Sequence, residues 1–393
     1  MNLAALLFDV VRRQPEAPAV SDSFHAWSYR EFARRISCLA GGLASRSLEA
    51  GDRVILCMEN CAEFLKLLFA GWTAGFCAVP VNARLHVREV EHIARDSRAR
   101  LVVATPNLAD ALAPLETLSP IISTRSGEYT ALLEQGAPMR PVDTAAADRA
   151  WLFYTSGTTG RPKSAVLSHR NLLFMSHCYY ADIDRLDERD TNLHAGPLSH
   201  GAGLYALPHL LRGGHQVVLP HFEVDAILDA LRRHSRVSMF AAPTMLTRLV
   251  HASALAAADL RNLRTIFYGG GPMYVADLER ALQLFGPRLY QLHGQGESPM
   301  TITGFSKRLH ADQTHPRWRD RLGSCGVPRT GVLVKVVDDR DRALPDLAGP
   351  ARSSTRSDCV MEGYWDDPDA SAETLRGGWL HTGDSAALTR KGF

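Results

Sequence analysis

The sequence predicts an α/β protein: two βα subdomains with mostly parallel sheets covered by helices, followed by a small β-rich, barrel-like subdomain at the C-terminus. Three observations predict it. From Trp27 to Val103, capped helical stretches alternate with short apolar runs, and a second array of the same kind runs from Ser168 to Leu292. Beyond about Arg321 the pattern changes to short strands and turns. Repeated β–α alternation needs crossover helices, which place strands in parallel and cover both sheet faces. Short strands separated by turns are the signature of a small β-rich unit.

Taken in order, Leu3, Leu6, Leu7 and Val10 sit at helical spacing and predict a surface amphipathic helix. Ser28, followed three residues later by Glu31, forms a capping-box pattern for a helix to about Ser45. Gly51-Asp52 turns into a strand Arg53 to Met58. A helix from about Cys61 to Ala74, a strand from Cys77 to Pro80, a helix from Val87 to Ser97 and a strand Leu101 to Val103 complete the first array. The Pro/Ala-rich stretch Ala137 to Asp148 reads as a linker. The apolar runs Trp151 to Phe153 and Ala165 to Leu167 read as buried strands on either side of a loop. In the second array, helices are expected at His169–Tyr180, from Gly201 to near Gly213, at Val224–His234 and at Thr244–Val250. Strands are expected at Gln216–Leu219, Val237–Phe240, Thr265–Tyr268 and Leu289–Leu292, and in the tail at Val332–Val337.

Bulk properties exclude several classes. With 44 Lys+Arg against 42 Asp+Glu, the net charge of +2 suggests no nucleic-acid partner. The seven Cys are scattered without a Cys-x-x-Cys, so buried free thiols in a reducing, cytoplasmic compartment are expected. The N-terminus lacks the basic n-region of a signal peptide, and Asp9 interrupts its apolar run. Cys61 to Val81 imitates a membrane span, but Glu63, Lys66, two Gly and Pro80 fall inside it, so no transmembrane segment is expected.

Between the two apolar runs lies Tyr154 to Lys163, YTSGTTGRPK. Small hydroxyl residues and Gly let backbone N–H groups approach an anion, and a Lys adds a point charge. Thr155, Ser156, Gly157, Thr158, Thr159, Gly160 and Lys163 are therefore candidates for a phosphate cradle. By composition alone the stretch also suits an ordinary surface loop. Its Gly and Lys spacing does not fit a Walker A loop, which disfavours a P-loop kinase. Two further loops stand at strand ends, where open α/β sheets bind ligands. Gly269-Gly270-Gly271-Pro272 can lay bare backbone against a flat base, or form a tight turn. His293-Gly294-Gln295-Gly296-Glu297 ends in a carboxylate that could hold Mg²⁺, or simply be solvated.

Together these strings resemble the adenylate-forming enzymes: acyl- and aryl-CoA synthetases, firefly-type luciferases and peptide-synthetase adenylation domains. YTSGTTGxPK is similar to the family's phosphate loop, GGGP to its adenine loop, and HGQGE to its Y-G-x-T-E. In that last motif the aromatic residue stacks on adenine and the Glu binds Mg²⁺. Trp379 to Asp384 is similar to W-x-x-T-G-D, whose Asp holds the ribose hydroxyls. The resemblance covers the whole chain. It implies an AMP-forming acid–thiol ligase that uses ATP/AMP, Mg²⁺ and CoA on a small-molecule carboxylic acid, fatty or aromatic, and it leaves room for a homodimer. It implies catalytic roles for Lys163, His200 and Glu297, with Glu297 as the metal ligand. The acid would lie against His200, Gly201, Ala202, Gly203, Phe240, Ala241, Tyr268 and Met300, an apolar set. PLSHGAG lacks the Asp with which amino-acid-activating relatives hold an α-ammonium, which disfavours a peptide-synthetase domain.

The chain also departs from the family pattern. His293 replaces the Tyr, and Gly296 replaces the Thr, losing a hydroxyl near the α-phosphate. Ser164 follows Lys163 where the family usually has Gly. Around Gly349 the family has G-E-x-x-V-R. Here Ala351 to Arg356 lacks apolar alternation, so an irregular segment or poor edge strand is expected. The expected division is an AMP-binding α/β region over 1–320 and a β-rich unit over 321–393. The sequence stops at Lys391-Gly392-Phe393, where the family continues into a hinge and a small lid carrying a Lys that drives adenylation. A lid-less chain is the expectation. The alternative to a ligase is then a nucleotide- and acid-binding module with little turnover.

Overall fold

The computed structural model describes residues 1–155, 162–338, 340–344 and 351–386. Three sheets organise the chain. The first has six strands in the order Ile121–Ser123, Leu101–Ala104, Arg53–Met58, Cys77–Asn82, Arg149–Thr155 and Lys163–Ser168. All are parallel except the last pair, a hairpin that carries the YTSGTTGRPK loop. The second has nine strands, in the order Val327–Pro328, Thr303–Phe305, Leu289–His293, Leu263–Gly269, Val237–Ala241, Thr191–His194, His215–Val218, Pro18–Ser21 and Ala26–Ser28. It is parallel in the middle and antiparallel at both edges. The third is antiparallel, with Arg352–Arg356 between Leu333–Val337 and Leu380–Ser385.

Local rules place the helices. Ser28 accepts a hydrogen bond from the Glu31 N–H and starts helix Tyr29–Ala44. His86 and Glu89 close a reciprocal capping box on helix Val87–Ser97. Ser168 and Asn171 do the same for helix His169–Asp182, which leaves directly from the loop hairpin. The helix expected from Gly201 to Gly213 is two short pieces, Gly201–Leu204 and Ala206–Leu211, broken at Tyr205.

The membrane-like run Cys61 to Val81 is helix Ala62–Thr73 followed by strand Cys77–Asn82, both buried. Its Lys66 is wholly buried, paired with Glu63 and set 5.1 Å from the rings of both Trp27 and Tyr129. No described helix is long and apolar enough to cross a membrane. All seven Cys are free thiols.

The N-terminal segment does not belong to the first sheet. Pro18–Ser21 pairs in parallel with His215–Val218, with Val20 opposite Gln216. Gln14 Nε2 donates to the Gly213 carbonyl at 3.0 Å, across 199 positions of sequence. The two βα units are thereby interlocked. The stretch Ala137 to Asp148 holds no helix or strand, but it is tied down: the Met139 N–H donates to Ser37 O, and the Val142 N–H to Thr73 O.

The segment expected to be irregular is the central strand of the third sheet. Arg352–Arg356 pairs on both sides, and Ser353, Ser354 and Thr355 are buried. Its polar side chains find partners. Ser353 Oγ lies 2.5 Å from Thr382 Oγ1, Ser354 Oγ lies 3.2 Å from His381 Nδ1, and Thr355 Oγ1 donates to Leu333 O at 3.2 Å. Small hydroxyl groups that are hydrogen-bonded can be buried without an apolar face, which the hydrophobic pattern does not reveal.

Candidate active site

The loop hairpin, the end of strand Leu289–His293 and the third sheet enclose a cleft of about 890 Å³. Thr155 and Lys163 enter it from the hairpin, Gln295, Gly296 and Glu297 from the strand-end loop, and Thr382, Gly383 and Asp384 from the third sheet. Residues more than two hundred positions apart thus share one wall system. Ser156, Gly157, Thr158, Thr159 and Gly160, the body of the expected cradle, lie outside the described residues, as do Asp339, Gly349 and Lys391 to Phe393.

Internal bonds orient the charged groups. Gln295 Nε2 donates to Asp384 Oδ2 and to Thr382 O, both at 2.8 Å, and so fixes the carboxylate expected to meet the ribose. Tyr364 Oη donates to Glu297 Oε1 at 2.8 Å, and its ring lies 5.0 Å from Lys163 Nζ. One aromatic side chain therefore touches both a cation and an anion of the site. Burial, and then the Glu297 carboxylate, push the Tyr364 hydroxyl far above its ordinary pKa, so it remains a donor. Tyr364 is held by the segment Glu362 to Trp365, which pairs against the hairpin through Glu362 N–H to Val166 O, Val166 N–H to Gly363 O and Trp365 N–H to Ser164 O. Tyr364 stands in none of the motifs that point to the site. The only signal was its place in the string MEGYW.

Gly296 has a packing explanation. A Cβ there would lie 2.4 Å from Thr155 Cγ2 and 2.7 Å from Phe153 Cδ1, inside any permitted contact. Phe153 and Thr155 fill the space that the family's Thr would need. Phe153 in turn meets His200 edge-on, with ring centroids 5.8 Å apart. His200 accepts or donates to Ser199 Oγ at 2.8 Å, and burial holds its pKa below the ordinary value, which favours the neutral ring. His200, Phe153, Thr155 and Ser199 also border a second, smaller cavity of about 230 Å³, closed on its far side by Pro80 to Asn82 and Leu85.

The remaining expected residues fall in two groups. Gly269, Gly270, Gly271, Pro272, His293 and Gly294 are not among the residues that line the large cleft. A Cβ on Gly269 would meet Leu292 O at 2.2 Å, so this Gly serves close strand pairing. Gly270, at φ +82°, has open space above it, as a face for a flat base requires. Burial lowers the pKa of His293, against the opposing pull of Asp384.

Of the expected acid contacts, Gly201, Phe240 and Met300 come together: a Cβ on Gly201 would lie 3.2 Å from Phe240 Cζ and 3.5 Å from Met300 Cε. Ala202 is buried beside Gly196, and Gly203 packs tightly against Leu198 O. Two contacts need correcting. Ala241 and Tyr268 pack in the core on the other side of the sheet from Phe240, and Tyr268 Oη lies 3.0 Å from His310 Nε2. Successive strand residues face opposite ways, so Phe240 and Ala241 cannot both present side chains to one pocket.

A cleft that gathers a hairpin lysine and a strand-end glutamate from two helix-covered sheets, and an aspartate from a small antiparallel one, defines an adenylate-forming type of enzyme. The chain belongs to the AMP-binding enzyme family, whose profile matches residues 7–365. Among its relatives, a feruloyl-CoA synthase of Amycolatopsis is 34% identical over 97% of this chain and 75% of its own length. A medium/long-chain-fatty-acid–CoA ligase of Mycobacterium tuberculosis is 26% identical over 99% of this chain and 69% of its own. The fold matches that of the N-terminal domain of FACL13 from Mycobacterium tuberculosis with a TM-score of 0.89, at 23% identity, over 100% of this chain and 98% of that one.

Proposed function

We propose that the chain binds ATP and a fatty or aromatic carboxylic acid and joins them as an acyl adenylate, from which the acyl group passes to CoA. The convergence of Lys163, Glu297 and Asp384 on one cleft, each from a different sequence motif, carries this reading. The acid's carboxylate oxygen attacks the α-phosphorus and pyrophosphate leaves. The CoA thiolate then attacks the acyl carbonyl and AMP leaves. The α/β region over 1–320 supplies phosphate, adenine and acid contacts. The unit over 321–393 supplies Asp384 for the ribose hydroxyls.

Lys163 and the loop beginning at Thr155 hold the β- and γ-phosphates. Gly270, Gly271 and Pro272 back the adenine, and His293 stacks on it. His200, neutral through burial, faces the reacting carboxylate without adding a competing charge. Among the described residues no group of three or more metal-binding side chains occurs. That suits Mg²⁺, which takes one or two carboxylates and completes its shell with phosphate oxygens and water. Among the carboxylates that line the cleft, Glu297, aligned by Tyr364, is the one that would hold the ion, and a bound Mg²⁺ would neutralise charge on the departing pyrophosphate. Protein groups here position reactants and balance charge, the main resources for phosphoryl-centre chemistry. ATP–pyrophosphate exchange with a panel of fatty and aromatic acids tests the reading. Acid-dependent exchange is expected, and its absence with every acid, in a protein that also fails to bind MgATP, would remove it.

A further inference from the structure

We infer that the acid slot accepts a compact, planar aromatic acid and excludes long unbranched chains, and that Phe240 sets this limit. The inference rests on the placement of the acid beside His200 and Gly201 proposed above. The slot has little depth. The Phe240 ring lies directly on the backbone of Gly201, with Cζ and Cε2 at 3.2 and 3.4 Å from where a Cβ would be. Met300 Cε closes the same spot at 3.5 Å. At the other end of the PLSHGAG stretch, Met245 Cε stands 3.7 Å from a Cβ on Gly196.

The wall is braced from behind. Phe240 backs onto Phe267 at 6.3 Å. Phe267 is wholly buried and boxed in by Tyr205 at 4.9 Å and Tyr179 at 5.7 Å. The backbone of Met300 is pinned as well. It has φ 55°, its carbonyl accepts from Tyr205 Oη and Arg329 Nη1, each at 3.4 Å, and its Cα leaves no room for a side chain on Gly294. Only the half-buried Phe240 ring and the two methionine thioethers can give way. In this arrangement a flat ring stacks between Phe240, the bare Gly201 backbone and His200, and Phe240 turns aside to admit it. A long acyl chain directed past Phe240 would meet the Phe267–Tyr205–Tyr179 block. Core packing at this density does not open for a chain of methylenes.

The test measures binding of non-hydrolysable acyl-sulfamoyl adenosines carrying benzoyl, cinnamoyl or dodecanoyl groups, with AMP as the nucleotide control, by calorimetry. The wild-type chain, Phe240→Ala and Phe240→Leu are compared. The expected result is that wild type binds both aromatic analogues at least about tenfold more tightly than the dodecanoyl one, the scale on which apolar pockets discriminate. Phe240→Ala should shrink or reverse that ratio while AMP affinity holds. Should Phe240→Ala fail to fold, Phe240→Leu decides by the same ratio. The inference is overturned if wild type favours the dodecanoyl analogue. It is equally overturned if the folded variants keep the wild-type ratio, which would direct the acid to the cavity bordered by Pro80 and Leu85 instead. Binding of AMP with no gain from any acyl group overturns the slot alone. Failure to bind AMP and every analogue overturns the adenylation reading and the slot with it.

Discussion

Replacing Gly296 by Thr, the residue the family pattern carries, should damage this protein. The new Cβ would lie 2.4 Å from Thr155 Cγ2, 2.7 Å from Phe153 Cδ1 and 3.2 Å from Phe153 Cε1. Phe153 has little freedom to retreat, being stacked on Trp151 at 6.3 Å and set edge-on to His200 at 5.8 Å. Overpacking of this kind costs about 1–3 kcal/mol. Thr155 begins the loop proposed to hold the phosphates, so its displacement should appear in ligand binding as well as in stability. If the whole strain is expressed there, MgATP affinity falls by roughly 5- to 150-fold. Calorimetric titration with MgATP and thermal melting of Gly296→Thr check both. Phe153→Leu/Gly296→Thr should recover part of each loss, because the two positions share one space. A coupling above about 0.5 kcal/mol in the double-mutant cycle is expected. Unchanged melting together with unchanged or improved MgATP affinity in Gly296→Thr would refute the packing account.

Three other outcomes are expected. Tyr364→Phe keeps the ring beside Lys163 and removes only the bond to Glu297. It should weaken MgATP by up to about 1.5–3 kcal/mol, the worth of a hydrogen bond to a charged group, and leave AMP nearly unaffected by calorimetry. Asp384→Ala should weaken AMP and ATP alike, whereas Glu297→Ala should weaken MgATP far more than AMP; equal losses in both variants would contradict the assigned roles. Burial holds the pKa of His194, His209 and His310 down to about 4, against 6.5 in an open chain. Below 6.5 the unfolded chain takes up protons that the folded one refuses. Stability should therefore be full above that pH and fall toward pH 4, by up to about 1.4 kcal/mol per pH unit for each such His. Urea melts at pH 7.5, 6 and 5 measure the slope, His310→Gln should flatten it, and a flat profile would contradict the burial.

Strand Arg53–Met58 and helix Val87–Ser97 were legible to the residue, because a Gly-Asp turn leads into an unbroken apolar run in the first and the apolar residues recur at helical spacing in the second. Strand Thr191–His194 was not. It sits mid-sheet, yet Asn192 and His194 are polar, and their bonding to Gln216 and Tyr205 O is visible only once the fold is formed. Arg352–Arg356 escaped for the same reason: satisfied hydroxyl groups imitate a solvated segment. Of the proposed site, Lys163, Glu297 and Asp384 were each named from a motif with its own spacing, and all three line one cleft. Tyr364 could not be read so, since it touches Glu297 and Lys163 from a loop segment, bridged to Ala165, that the sequence does not connect to either. The alternation that divides Phe240 from Ala241 was available in principle, and only the apolar character of both hid it.

The strand Pro18–Ser21 has a cost in time. It waits for a partner, His215–Val218, that is made about two hundred residues later. Closing so long a loop costs about 5 kcal/mol of chain entropy before any contact offsets it. A ribosome adding roughly 5–20 residues per second leaves the first strand, paired on one side with Ala26–Ser28, without its inner neighbour for about 10–40 s. Over the same interval the helix that carries Leu3, Leu7 and Val10, wholly or almost wholly buried in the finished protein, can pack on Tyr29–Ala44 and Ala62–Thr73 but still lacks Ala206–Leu211. The nascent chain therefore carries an open strand edge and a helix only partly covered, and exposed edges of this kind are what aggregation exploits.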